Sequence, residues 1–215
     1  MSGMWGNKLK VSIFGESHGA GIGITIDGLP SGIEIDMEEV LKEMARRAPG
    51  KSKLSTARKE GDQPEILSGF FEGKTTGTPL CAVIRNSDQH SKDYGKLKDL
   101  MRPGHADYPG FIRYNGFNDY RGGGHFSGRI TAPLVFAGAV CKQILNIKGI
   151  NVGAHVKSIG TIYDKSFDEV ELTKELLDNL KINELPLLCS EKEEMMRNAI
   201  LEARSDCDSV GGTIE

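Results

Sequence analysis

The sequence predicts a fold of mixed strands and helices rather than a helical bundle, and three observations carry that reading. Glycine is abundant, at 27 of 215 residues, while aromatics make up only 7%, a composition that goes with many turns and close backbone approaches. Ile22, Ile24 and Ile26 alternate with small or polar residues across 21–27, the period of a strand with one buried face. Residues 130–145, by contrast, form a long run almost free of charge and rich in alanine and glycine, which reads as a helix buried on most sides.

Taken in order, residues 10–14 and 21–27 are the first two strands. Asp36 is placed to cap a helix with Glu38 and Glu39 in its first turn. That helix runs through Val40, Leu41 and Met44 until Pro49-Gly50 stops it, with Arg46 and Arg47 in the last turn, where the helix dipole favours cations. A polar loop over 51–63 carries Lys51, Lys53, Arg58 and Lys59. Strands resume at 65–71 and 80–84, joined by a turn-like 72–79. An irregular stretch then runs from 86 to 124, and such long segments usually carry function or an oligomer contact. Beyond the buried helix, 151–162 reads as a strand and 172–180 and 191–204 as helices. The sequence has no repeat, low-complexity segment or linker, so residues 1–215 are expected to form a single domain. Residues 208–215 look like a turn entering another strand, which makes that domain incomplete at its C-terminal end and leaves an apolar sheet edge exposed.

A chain of 215 residues can bury a real core. The formal net charge of −3 and pI near 6.0 give no bulk attraction for nucleic acid or an anionic membrane, so neither is expected as a partner. Cys81, Cys141, Cys189 and Cys207 are scattered without a CxxC pair, which supports neither a metal site nor a disulfide framework. Residues 1–10 contain no apolar segment of a signal peptide. Lys142 and Gln143 interrupt the longest apolar run before it could span a bilayer. A cytoplasmic location is expected.

The most informative motif is Gly122-Gly123-Gly124-His125-Phe126-Ser127-Gly128-Arg129 at the mouth of the buried helix. Three glycines let the backbone approach a bound group closely. Bare N–H groups with the Ser127 hydroxyl and the Arg129 fork make an anion site. Gly15-Glu16-Ser17-His18-Gly19 fits the hydrolase elbow pattern, but the strand-like 21–27 follows where a helix is required; a tight turn carrying Ser17 and His18 into a cleft fits better. Gly73-Lys74-Thr75 fails as a P-loop because Ser68 stands where a glycine is needed. Arg46, Arg47, Lys53 and Arg58 cluster around a helix end and its loop, as a phosphate or carboxylate site would. His105, set between Arg102 and Asp107 in a loop, is a candidate general acid. His90 and His155 have no such company and read as structural.

Together these segments resemble the chorismate synthases. The resemblance rests on Phe14-Gly15-Glu16-Ser17-His18-Gly19, Asp27-Gly28-Leu29-Pro30-Ser31-Gly32, Arg46-Arg47-Ala48-Pro49-Gly50, Ile66-Leu67-Ser68-Gly69 and the run from Phe71 to Pro79. It continues through Ser91-Lys92-Asp93-Tyr94, the run from Arg102 to Tyr108, and Asp119-Tyr120-Arg121-Gly122-Gly123-Gly124. These pieces occur in family order across residues 5–215, corresponding to about the first 60% of the family's length. The resemblance implies an α+β sandwich, antiparallel sheets around a central helical layer containing 127–146, and a homotetramer. It implies a lyase that converts 5-enolpyruvylshikimate 3-phosphate to chorismate by 1,4-elimination, requiring reduced FMN, with NADPH as a source of its reduction. His18 would meet the departing phosphate and His105 the flavin. Ser17, Arg47, Lys53, Arg58, Arg102 and Arg129 would hold substrate or dinucleotide phosphate, and His125, Phe126 and Ser127 the FMN. The alternative is a non-catalytic remnant that binds anions or assembles with other subunits. Departures from the family pattern fall at Ala48 and Lys53, where arginines are commoner, and at His125-Phe126-Ser127, where Arg-Ser-Ser is commoner. Arg204-Ser205-Asp206 only imitates a later family segment.

Overall fold

The computed structural model describes residues 3–50, 61–87, 98 and 100–215. These divide into two compact units, with the boundary between Ile144 and Leu145.

The first unit is built on a five-stranded antiparallel sheet. Its strands are β1 (Met4–Trp5), β2 (Lys10–Gly15), β3 (Gly21–Asp27), β4 (Pro64–Ser68) and β7 (Leu80–Arg85), in the order β1-β2-β3-β7-β4. Residues Phe70–Phe71 (β5) and Lys74–Thr75 (β6) form a separate two-stranded ribbon. The continuous strand expected over 65–71 is thus split, following a bulge where β4 slips in register against β7 between Ile66 and Ser68. Ile22, Ile24 and Ile26 are fully buried, as their alternation requires.

Helix α1 (Met37–Arg47) is capped by Asp36, whose carboxylate accepts from the backbone N–H of Glu38 and Glu39 at 2.8 and 3.2 Å. It buries Val40 and Met44 in the same core as the isoleucines. The long apolar helix α3 (Thr131–Ile147) lays Ala132, Pro133, Phe136, Ala137, Ala139 and Val140 into buried positions. Residues 128–147 are, among those described, the one helical stretch long and apolar enough to cross a membrane. One face of α3 packs into the sheet's core while the rest is only partly buried or exposed, so the helix is not enclosed on most sides as its composition suggested. Gln143 on α3 and the backbone of Asp36 exchange two hydrogen bonds, and Lys142 meets Glu43, tying the two helices together.

One helix, α2 (Asp107–Arg113), lies inside the stretch expected to be irregular. Pro109 and Gly110 disguise it in the sequence. Pro109 sits within the first turn, where the backbone N–H has no helical partner to lose.

The second unit holds a three-stranded sheet of β8 (Val156–Ile159), β9 (Ile162–Tyr163) and β10 (Gly212–Ile214), in the order β10-β8-β9. The strand expected over 151–162 is therefore a short hairpin turning at Gly160-Thr161. Helices α4 (Lys174–Leu180) and α5 (Glu193–Ser205) complete it, and Met196 of α5 packs on Ile159 and Leu187. The strand foreseen at the C-terminal end is β10, an edge strand whose Ile214 is 72% exposed. The mixed helices and antiparallel sheets make the fold α+β.

Candidate active site

The turn between β2 and β3 carries the first pair of expected residues. Its backbone closes through Gly19 N–H donating to the Glu16 carbonyl at 3.0 Å, and it encloses Ser17 and His18, which are 1% and 6% exposed. Strand β3 follows the turn, so the strand–turn–helix context of a hydrolase elbow is absent and Ser17 is not a serine nucleophile of that kind.

Against this turn lies the glycine loop 121–126. Gly122, Gly123 and Gly124 have φ of 57°, 82° and 54°, the left-handed region that side chains avoid. A Cβ on Gly122 would overlap Cε1 and Nδ1 of His18, and one on Gly124 would overlap the Asp119 carbonyl and crowd Glu16 Oε2. Ser17 N–H donates to the Gly124 carbonyl at 3.1 Å, and His125 Nδ1 lies 2.9 Å from the Gly15 carbonyl. The close approach read from three consecutive glycines is real. The group approached is the protein's own Ser17–His18 turn.

Arg46 and Arg47 diverge as adjacent helix residues must. Arg46 reaches outward to Glu43. Arg47 donates from Nη1 to Asp62 Oδ2 at 2.9 Å and from Nη2 to the Gly128 carbonyl at 3.2 Å. Asp62, its side chain fully buried, takes Arg129 Nη1 on its other oxygen. Arg129 is itself 4% exposed, and its Nε donates to Asn86 Oδ1 at 3.1 Å. Two guanidiniums thus share one buried carboxylate, an arrangement that suits an anion-binding place. Asn86 completes the arrangement, its Nδ2 donating to the Glu16 and Gly19 carbonyls at 2.9 Å each.

Arg102 is held by Asp107 through its backbone N–H, Nε and Nη2, at 3.0, 2.9 and 3.0 Å. The guanidinium holds the Asp107 carboxyl below its usual range. Arg102 lies beside Gly123. His105 is exposed, its backbone N–H bonded to the Arg102 carbonyl.

Next to the glycine loop opens a pocket of about 330 Å³ lined by Glu16, Tyr114, Phe117, Asn118, Asp119, His125 and Phe126. Tyr114 and Phe126 stand 6.1 Å apart across it. Glu16 Oε2 is buried there without a hydrogen-bond partner, and burial pushes its carboxyl above the usual range. Asp119 is pulled the other way by its hydrogen bonds with Arg121.

The structure therefore brings Ser17, His18, Arg47, Arg129 and the 125–127 segment into one network, with Arg102 alongside Gly123. Lys53, Arg58, His90 and Ser91-Lys92-Asp93-Tyr94 lie outside the described residues. Sequence reasoning passed over Glu16, Asp62, Asn86 and Asp119. A buried arginine demands a buried acceptor, and that requirement is the signal that could have raised Asp62. Among the described residues no group of His, Cys, Asp or Glu is arranged to hold a metal ion.

Comparison with known proteins agrees over nearly the whole chain. A family model described as chorismate synthase matches residues 9–215. A chorismate synthase of Sulfurimonas denitrificans is 48% identical over 208 residues, covering 97% of this chain and 56% of that protein. One of Pyrococcus abyssi is 48% identical over 214 residues, covering 99% and 57%. A solved structure, "Crystal Structure of Chorismate Synthase", superposes with a TM-score of 0.69 at 32% identity, covering 97% of this chain and 56% of that one. The chain spans a little over half the length of these relatives, in their order of segments, and it belongs to the chorismate synthase family.

Proposed function

We propose that this chain carries the phosphate-binding side of a chorismate synthase active site. The reaction is the 1,4-elimination of phosphate from 5-enolpyruvylshikimate 3-phosphate. The C–O bond to phosphate breaks, a ring proton is lost, and chorismate forms with no net redox change. The observation that carries the reading is the junction of the buried His18 turn with the Arg47–Asp62–Arg129 network. The substrate holds one phosphate and two carboxylates, and two guanidiniums beside an imidazole suit the departing phosphate. His18 protonates or hydrogen-bonds that phosphate as it leaves. Arg47, Arg129 and Arg102, with Ser17, orient the anionic groups, and Lys53 and Arg58 extend the cationic set.

The aromatic pocket suits a flavin. Tyr114, Phe117 and Phe126 offer apolar faces for a planar ring, and Glu16, Asn118 and His125 offer polar atoms at its edge, including the orphaned Glu16 oxygen. His125, Phe126 and Ser127 would hold reduced FMN, with His105 adjusting protonation beside it. When bound there, reduced FMN would supply transient electron density to the allylic system. NADPH as its reductant, a homotetrameric assembly and a cytoplasmic setting belong to the same proposal.

The second reading, an anion-binding chain without turnover, rests on the same buried arginine network taken by itself. Both are tested on the 215-residue chain with the substrate, with and without dithionite-reduced FMN under anaerobic conditions. Chorismate formation that falls about 10²-fold or more in His18→Ala and His105→Ala supports the enzyme. Substrate binding by calorimetry without turnover supports the second reading. Absence of substrate binding overturns both.

A further inference from the structure

Asn86 is the first residue past β7, and the sheet register decides where it stands. Arg85 pairs with Gly21, and Asn86 N–H continues the ladder by donating to the Ala20 carbonyl at 3.3 Å. Its side chain is thereby delivered onto the Glu16–Ala20 turn. There the amide is used on both sides. Nδ2 spends its donors on the carbonyls of Glu16 and Gly19, which bracket Ser17 and His18, and Oδ1 accepts from the Nε of buried Arg129. An amide is suited to this place because one edge must donate twice while the other accepts from a guanidinium. A carboxylate would confront two carbonyl oxygens, and an apolar side chain would leave the turn and the arginine unconnected.

We propose that Asn86 is a positioning residue that sets the His18 imidazole and the Arg47–Asp62–Arg129 network at a fixed separation, so that both address one phosphate group. The proposal rests on the phosphate-binding reading above. Without Asn86, the turn loses the two hydrogen bonds at its Glu16 and Gly19 carbonyls, so the His18 ring loosens against the glycine loop and is no longer tied through the amide to Arg129.

Nuclear magnetic resonance on the 215-residue chain, with inorganic phosphate as the probe, tests this through two separate readouts. The first is the proximity signal between the His18 ring and the Gly122 α-protons, expected from their packing. The second is phosphate affinity from shifts of the His18 and Arg129 signals. In Asn86→Ala the His18–Gly122 signal weakens or vanishes, and phosphate affinity falls roughly tenfold, the size expected for losing charged hydrogen-bond geometry. Asn86→Asp keeps an acceptor for Arg129 but not the donors to the turn, and shows the same loss at His18. Methyl signals of Ile22, Ile24 and Ile26, in the core of the first unit, report whether that unit remains folded. An unchanged ring contact and unchanged affinity in both variants overturn the proposal, as does unfolding of the first unit in both, which would make Asn86 a brace of the sheet alone. If the wild-type chain shows the ring contact but no response to phosphate, the phosphate-binding reading has failed. The coupling of turn and arginines to a ligand then falls with it, even where Asn86→Ala releases the ring.

Discussion

Gly122 and His18 occupy adjoining space so closely that a methyl group on residue 122 would overlap Cε1 and Nδ1 of the imidazole. The backbone there is left-handed, at φ 57° and ψ 23°. Replacing Gly122 with alanine both strains the backbone, by about 1–2 kcal/mol, and expels the imidazole from its place. The expected result is a lower urea midpoint together with displaced His18 ring resonances. A variant with wild-type ring signals would show that the loop can shift without disturbing the histidine.

Asp62 is the shared acceptor of two guanidiniums, and its side chain is fully buried. Removing it in Asp62→Ala takes away the carboxylate that both guanidiniums share, and breaking a buried pair in this way costs about 3–5 kcal/mol. Urea denaturation at low salt measures the loss. Molar phosphate or sulfate is expected to restore part of it by taking the carboxylate's place, whereas chloride at equal ionic strength restores less.

Glu16 follows the opposite electrostatic logic. Burial raises its carboxyl above the ordinary 4.5; among nearby charges, His125 and Arg121 act to lower it and Asp119 to raise it. A raised pKa in the folded state means that Glu16 favours folding most below the unfolded value. That contribution is lost as pH rises through the folded value. Glu16→Gln is expected to raise the melting temperature at neutral pH and to leave it nearly unchanged at pH 4. The carboxyl carbon of Glu16, followed by ¹³C resonance, is expected to titrate above the usual glutamate range.

In the second unit, Glu215 is held down to about 2 from an ordinary 4.5, first by the Phe167 N–H and then by His155 and Ser166. Here the folded value lies below the unfolded one, so the contribution is present above pH 4.5 and lost as pH falls from there toward 2. Amide exchange at β8 and β10 is expected to accelerate across that window. Glu215→Gln is expected to exchange faster at neutral pH and to show a flatter acid response.

Much of this was legible in the chain because the signals are local. Asp36 with Glu38 and Glu39 marks a helix start, alternating isoleucines mark β3, and an uncharged run marks α3. The juxtaposition of His18, His125 and Arg129 followed from family order. Asp62 and Asn86 were invisible because each is a lone polar residue whose role arises only when β3, β4 and β7 pair and bring distant segments to one edge. Helix α2 was hidden because Pro109 and Gly110 contradict helical propensity, and an Arg102–Asp107 contact across the loop leads into it instead.

His155 has a consequence for the order in which the molecule is assembled. Its imidazole is fully buried and lies 3.1 Å from Glu215, a residue 60 positions further along, while its backbone exchanges hydrogen bonds with the same residue. Strand β8 has β9 beside it early but gains β10 only once residues 212–214 exist. During synthesis on the ribosome, then, the second unit holds His155 with Asp164 but without Glu215, and a strand with one side unpaired, until residues 212–215 emerge. The cost of closing that long loop is met in a single late step, and chaperone binding to nascent chains is expected to concentrate on this interval.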